Sequence, residues 1–413
     1  EVLQLLPGAG DVGAALVQDA RVQGVMFTGS TEVAQLIAKQ LSTRLNKAGQ
    51  PIPLVAETGG LNAMVVDSSA LAEQVVADVI TSAFDSAGQR CSALRILCLQ
   101  DEVANTMLTM LRGAMQELQV TNPDRLSTDV GPVIDAEAQQ NIQRHIAHMR
   151  QKGFAVEQLT LAQSCAHGTF VAPTIIEINE IADVEREVFG PVLHVLRYKR
   201  SEVSKLIDQI NASGYGLTFG VHSRIDESID KLVQQVRAGN LYVNRNIVGA
   251  IVGVQPFGGQ GLSGTGPKAG GPLYVPRLLA SSPEQLVLGD MPNARPALAL
   301  QQTFFDWVKA QYSADQFTQI QKNVDLSLYG LQMALSGPTG ENNSYHLQQR
   351  GQVLCMPQTE WGATIQLACC LATANQPIVV LDHNKQRLSH WLQQLPKDVA
   401  AFVIQASSVE QAV

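Results

Sequence analysis

Short apolar runs and amphipathic stretches alternate along this chain, and that alternation limits its fold more than any other feature. In the first series, the apolar runs 192–197, 217–222 and 241–244 are separated by the helical patterns 201–211 and 226–237. In the second, the runs 353–356, 378–381 and 401–404 are separated by the helical patterns 359–374 and 385–394. Runs without a polar face suit strands buried on both sides, and a helix between two such strands suits a parallel βαβ unit. The class is therefore α/β, in more than one unit. The Ser-, Pro- and Asn-bearing stretch 281–298 reads as a linker, followed by helical stretches at 299–311 and 314–322.

Composition narrows the partners. Of 413 residues, 45% are apolar and 16% charged, with a net charge of −8. No Lys/Arg cluster offers a phosphate footprint, which argues against nucleic acid. The six cysteines lack zinc spacing and any secretory context, pointing to a reducing compartment. No apolar run reaches membrane-spanning length. Residue 1 falls in a strand-like run, 1–6, and residue 413 just after another, so both ends read as cuts through a longer chain.

The candidate site residues appear in turn. Gly8-Ala-Gly10-Asp-Val-Gly13 matches a dinucleotide fingerprint literally. The next strand, 24–27, ends in Thr28-Gly29-Ser30 where that fingerprint expects an acid, so the glycines read as a plain turn. Thr28-Gly29-Ser30 is the better anion candidate: Ser30 is an N-cap, Glu32 lies in the first turn, and Val33, Ile37 and Leu41 form the face to be buried. Glu57, between apolar runs 53–56 and 63–66 and beside Gly59 and Gly60, is placed where burial raises a carboxyl toward general-base range.

A helix with Leu71, Val75, Val76, Val79, Ile80, Ala83 and Phe84 on its apolar face runs to Ala87 and stops at Gly88. A buried strand follows at 94–99. Cys91 sits in the turn between them, beside Arg90, whose guanidinium favours the nucleophilic thiolate. The pattern from 101 to 156 is helical. His145 and His148 share a face there, without a third ligand, and read as solvated. Gly190-Pro191 fixes a turn with Glu187 and Phe189 at its lip. The loop 245–272 is long and glycine-rich, so its backbone amides, Gly249 and Ala250 among them, can approach an anion. In the tail, 337–340 reads as a turn without chemistry and Cys369-Cys370 as helix packing. A cysteine hydrolase would need a histidine base, and none of the eight histidines lies in a comparable turn.

Taken in order, Phe27-Thr28-Gly29-Ser30, Glu57-Thr58-Gly59-Gly60, Gly88-Gln89-Arg90-Cys91, Glu187-Val188-Phe189-Gly190-Pro191 and Pro256-Phe257-Gly258-Gly259 resemble the motifs of the aldehyde dehydrogenase superfamily. Ser92, Gly249-Ala250 and the loop 257–271 resemble its L-glutamate γ-semialdehyde (Δ1-pyrroline-5-carboxylate) dehydrogenase branch. The stretch 337–345, with Val353-Leu354-Cys355, resembles the C-terminal domain of the proline utilization A family.

The resemblance implies an aldehyde dehydrogenase fold: the C-terminal part of a Rossmann-type NAD-binding domain at 1–60, a catalytic cysteine domain at 61–257, and the end of the dehydrogenase with a linker at 258–298. An incomplete second Rossmann-like α/β domain would follow at 299–413, covering the dehydrogenase and helping to enclose a channel for the intermediate. The implied reaction is NAD-dependent oxidation of the semialdehyde to glutamate, through a thioester on Cys91 that Glu57 hydrolyses by activating water. Thr28, Gly29 and Ser30 would lie at the pyrophosphate, Glu187 at the nicotinamide ribose and Phe189 by the ring. Ser92, Gly249 and Ala250 would hold the substrate α-carboxylate, and Phe84 and Phe257 would flank its aliphatic chain.

No metal is implied, and FAD belongs to an upstream proline dehydrogenase domain of the same parent chain. The parent is expected to be a cytoplasmic homo-oligomer, peripheral at most to the inner membrane. The family's second oxyanion donor, its adenosine-ribose lysine and its first Rossmann strands would precede residue 1, so the chain by itself is expected to be inactive. Competing readings are an aldehyde dehydrogenase for succinic semialdehyde or a betaine-type aldehyde, and a non-catalytic scaffold.

Overall fold

The structure, a computed structural model, describes residues 2–279 and 299–412, without the side chain of His383. The linker expected at 281–298 lies outside the described residues. Contacts divide the chain into two compact units, 1–286 and 287–413.

The first unit begins with α1 (Gly10–Gln18), β1 (Val25–Thr28), α2 (Thr31–Leu41) and β2 (Leu54–Glu57). β1 and β2 form a parallel pair with Thr28 opposite Glu57. The expected strand at 2–6 is absent: Val2, Leu3, Leu5 and Leu6 are exposed and no strand is assigned there. An apolar run becomes a strand only against an edge, and β1 is paired to β2 alone. Gly8, Gly10 and Gly13 therefore follow no strand, which removes the context a dinucleotide fingerprint needs. Along α2, Leu41 is buried, Ile37 half-buried and Val33 exposed, a narrower face than expected.

A seven-stranded sheet forms the body of this unit. Its strands are β3 (Ala63–Val66), β4 (Ile96–Gln100), β5 (Ala155–Gln158), β6 (Thr174–Ile178), β7 (Val192–Tyr198), β9 (Thr218–His222) and β10 (Asn240–Val243), in the order β10-β9-β3-β4-β7-β6-β5. Every pair is parallel except β5–β6. Every residue of β3 and β4 is buried, as the unbroken apolar runs require of central parallel strands. Helices α3 (Ala72–Phe84), α4 (Asp101–Gln116), α5 (Ala136–Gln151), α6 (Val203–Ala212) and α7 (Asp226–Gln235) belong to the same unit.

Two expectations change here. The helical pattern at 101–156 is two helices, with 117–135 non-helical between them and β5 after them. The glycine-rich loop is not structureless: a short strand β11 (Gln260–Gly261) pairs with β8 (Tyr215–Gly216). Its backbone also bridges Glu57 to Gly264 and Phe257 to Ala269.

The second unit contains α8 (Ala299–Gln311) and α9 (Ala314–Asp325), the latter opened by a Ser313/Gln316 capping box. A hairpin of β12 (Gln332–Leu335) and β13 (Asn343–His346) spans the expected turn at 337–340. Then come β14 (Gln352–Cys355), α10 (Glu360–Ala372), β15 (Gln376–Val380), α11 (Lys385–Gln394), α12 (Lys397–Phe402), β16 (Ile404–Ala406) and α13 (Val409–Ala412). The three strands form a parallel sheet, β14-β15-β16. The run 401–404 is the end of a helix and the start of a strand, because α12 occupies its first half. Trp391 is fully buried and donates its indole N–H to Thr364 Oγ1 (3.0 Å). Cys370 packs as expected, its Sγ 3.7 Å from that of Cys355.

Candidate active site

The turn that carries Cys91 is held by buried groups around it. α3 ends at Phe84, three residues earlier than the pattern suggests, because Ser86 (φ 55°) and Ala87 (φ 53°) adopt left-handed backbone. Two non-glycine residues in that region cost on the order of 1–2 kcal/mol each. Gly88 (φ 65°) completes the reversal, and a Cβ there would lie 2.2 Å from the Gly190 carbonyl oxygen. Asn62, buried, donates to the carbonyls of Cys91 (2.7 Å) and Ala93 (2.8 Å) and accepts from the Thr218 amide (3.1 Å). Phe84 is sealed in the core behind the turn and lines no part of the cleft, which corrects its expected place along the substrate chain.

Arg95 was not visible as a site residue. It is 1% exposed, donates to the carbonyls of Gly88 (2.7 Å), Arg90 (3.1 Å) and Gly190 (3.2 Å), and pairs with Glu187 (2.9 Å). Its guanidinium also lies 5.3 Å from the centre of the Phe189 ring. One cation thus ties the cysteine turn to the 187–190 loop. Gly59 lets Glu187 pack in, since a Cβ at 59 would stand 1.6 Å from Glu187 Oε2.

The electrostatics of Cys91 differ from expectation. Arg90 turns away and donates to Ser86 Oγ (2.9 Å). Burial, then the Glu187 carboxylate, pushes the Cys91 thiol up; the amides of Ser92 and of Cys91 itself oppose this. The thiol is therefore the resting form and needs a base. Glu57 lines the same cleft. Burial raises its carboxyl to about 7, against a Gly259 amide and the charge of Lys268 that lower it. Glu57 Oε2 accepts the Gly259 N–H (2.9 Å), whereas Oε1 is buried without a hydrogen-bond partner.

A cleft of ≈ 1220 Å³ collects the other expected residues. Thr28, Gly29 and Ser30 line it at the start of α2, where Ser30 Oγ caps the Val33 amide (3.3 Å). Glu57, Cys91, Ser92, Glu187, Phe189, Gly249, Ala250 and Phe257 line it too. Gly249 (φ 77°) needs the freedom of glycine to turn the chain there. His145 also faces this cleft and is not solvated as expected: its Nε2 is 2.9 Å from Nε2 of the buried His194. Burial lowers both, His145 to about 4 and His194 to about 3, so the pair is neutral. His194, like Asn62 and Arg95, stood in an apolar run that gave no sign of a partner. Among the described residues, no three His, Cys, Asp or Glu gather to hold a metal, and no helix could cross a membrane.

A cysteine turn, a carboxyl raised toward neutrality and a helix start open into one cleft on an α/β scaffold, the arrangement of an enzyme site. The aldehyde dehydrogenase family profile matches residues 1–279, and the chain belongs to that family. It is 56% identical over 392 residues to the bifunctional protein PutA of Klebsiella aerogenes, covering 90% of this chain and 29% of that one. Against the 1-pyrroline-5-carboxylate dehydrogenase of Geobacillus kaustophilus it is 35% identical, covering 66% of this chain and 53% of that one. A crystal structure of a bifunctional PutA superposes with a TM-score of 0.63 at 52% identity, over 66% of this chain and 27% of that one. A Thermus 1-pyrroline-5-carboxylate dehydrogenase with bound NAD gives 0.60 at 35% identity, over 66% and 52%. The chain spans 29–31% of the length of the curated PutA relatives it matches.

Proposed function

We propose that these residues form the site that oxidises L-glutamate γ-semialdehyde, the open form of Δ1-pyrroline-5-carboxylate, to L-glutamate with NAD as acceptor, the second oxidation of proline breakdown. The observation that carries it is the meeting of Cys91, Glu57, Ser92 and the Gly249–Ala250 turn in one cleft. The identity to 1-pyrroline-5-carboxylate dehydrogenases supports the substrate.

Glu57 Oε1, the buried unpartnered oxygen, takes the Cys91 thiol proton, and Sγ bonds to the aldehyde carbon to give a thiohemiacetal. The Cys91 backbone N–H, which points at its own sulfur, stabilises the oxyanion. When bound, NAD supplies the two-electron acceptor that turns this adduct into a thioester. Glu57 releases the thiol proton to solvent and then removes a proton from water, which attacks the thioester carbon; the C–S bond breaks, glutamate leaves, and Glu57 returns the proton to Sγ. Ser92 and the amides of Gly249 and Ala250 hold the α-carboxylate, at about 1.5–3 kcal/mol for each hydrogen bond to the charged group.

NAD fits the residues present. The amides opening α2 suit its phosphates, Glu187 suits ribose hydroxyls, and the Phe189 ring, 43% exposed, suits a planar partner. By the same reading, 1–60 completes a nucleotide-binding domain, 61–257 is catalytic, and 258–298 closes the dehydrogenase. Residues 299–413 form a second Rossmann-like domain. The parent carries a proline dehydrogenase domain upstream and works as a cytoplasmic homo-oligomer.

The test is NADH formation by the natural full-length protein with Δ1-pyrroline-5-carboxylate and with succinic semialdehyde. Preference for the first, lost by at least about 10³-fold in Cys91→Ala, is expected. Equal turnover of both would sink the substrate assignment.

A further inference from the structure

Lys268 stands in the glycine-rich loop and is drawn inward. Its ammonium donates to the Gly239 carbonyl and lies 3.4 Å from Asn240 Oδ1. Asn240, at the start of β10, is the hub of this corner. Its Oδ1 accepts the Gly258 amide (3.2 Å), and its side-chain N–H donates to the Pro256 carbonyl (2.9 Å). The next amide along, Gly259, is the one that binds Glu57 Oε2 (2.9 Å).

The segment 256–259 is thus fastened at one end to Asn240, against which the Lys268 ammonium rests, and at the other to Glu57. Packing is tight throughout. A Cβ at Gly258 would stand 2.7 Å from Glu57 Oε1 and 3.1 Å from the Lys268 Cα, and one at Gly239 would stand 1.9 Å from the Gly258 oxygen.

We propose that Lys268 is a positioning residue for Glu57, anchoring the 256–259 segment that orients this carboxyl and holding a positive charge behind it. The inference rests on the reading of Glu57 as the base. The titratable groups that Glu57 feels are Lys268 from this loop and Cys91 from the turn after α3, with Glu187 beyond Cys91 and already matched by Arg95. Lys268 is the cation whose charge acts on the Glu57 carboxyl. Its charge favours the ionised carboxylate, the form a general base needs. Burial lowers the ammonium to about 8, while the Glu57 charge opposes that, so the two influences are mutual.

The experiment uses p-nitrophenyl acetate and the full-length protein, without NAD or aldehyde. Cys91 Sγ bonds to the acyl carbon as its proton passes to Glu57 and on to solvent, and p-nitrophenolate leaves. Water then attacks, its proton passes to Glu57, and acetate leaves as Sγ is reprotonated. Rates are followed from pH about 5 to about 9, spanning the Glu57 titration. In Lys268→Met the acidic limb should move to higher pH by about one unit. Lys268→Arg should leave it in place, and Asn240→Ala should lower the plateau without moving the limb.

A Lys268→Met profile that overlays the unaltered protein's overturns the proposal, as does an Arg variant that shifts as far as Met. Should Lys268→Met not fold, Lys268→Gln is read in the same way. Ester hydrolysis that shifts as expected, in a protein that does not oxidise the semialdehyde, would sink the proposed substrate and leave this inference standing. An unshifted ester profile with full semialdehyde turnover would do the reverse.

Discussion

The seven-stranded sheet and the three-stranded sheet are built by the same alternation of apolar strand and amphipathic helix, and they differ in what they bury. The seven-stranded sheet and its turns enclose Arg95, His194 and His222 along with Asn62, Ser92 and Thr218. In the three-stranded unit, the buried polar residues among those described are Thr364 and Asn375, each hydrogen-bonded within a few residues of a helix or strand end. A sheet of this kind does not need buried charge to close. Where charge is buried, it holds turns in shapes the backbone would not choose, and those turns carry Cys91 and Glu187.

The sharpest way to break this comparison is Arg95→Met. The change strands Glu187 and takes the donor from the carbonyls of Gly88, Arg90 and Gly190. It should destabilise the first unit by about 3–5 kcal/mol and leave the unfolding of the second unit in place. Urea denaturation read by signals from each unit measures both; a loss below about 1 kcal/mol would mean the buried ion pair is dispensable.

A smaller effect, opposite in sign, is expected at Glu57. Its carboxyl binds a proton more tightly folded (about 7) than at its ordinary 4.5, so ionisation costs stability as pH rises from about 4.5, with the full cost felt above about 7. Glu57→Gln removes that cost. At pH about 8 the first unit should gain about 2–3 kcal/mol, at pH about 4 nothing, while hydrolysis of the acyl-enzyme is lost. Equal stability of the two proteins at both pH values would contradict the assignment of a buried base.

The smallest effect belongs to the second unit. Trp391→Phe shrinks a core residue and withdraws one donor from Thr364, at a cost of about 1–2 kcal/mol. That cost should not vary with pH, because neither partner titrates. A pH-dependent loss would show that a charge is buried there after all.

The central strands were legible because parallel strands buried on both faces read as unbroken apolar runs, although the run 2–6 shows that such a run need not form one, and Cys91, Glu57 and Glu187 stood out as reactive or acidic residues within three positions of a glycine. What it could not show are groups whose role depends on a distant carbonyl. Arg95 looks like an interruption in an apolar run until Gly88 and Gly190 are brought to it, and His194 until His145 is. Phe84 erred the other way: a large apolar residue near a cysteine can face ligand or core, and only packing decides. The α3 boundary was misplaced for a local reason, since nothing in Ser86 or Ala87 announces left-handed backbone. Arg90 beside Cys91 was misread because sequence adjacency says nothing about which way a long side chain turns.

The hydrogen bond that orients Glu57 joins it to a residue 202 positions away, and the loop making it is laced back onto β2 by a bridge from Glu57 to Gly264. Contacts of such separation close late, after the chain between them has found its own order. The setting of the Glu57 carboxyl is thus a property of the finished topology rather than of any local motif. A protein that has regained its helices and strands can still lack that contact, which makes a probe of Glu57 a stricter reporter of native structure than backbone spectroscopy.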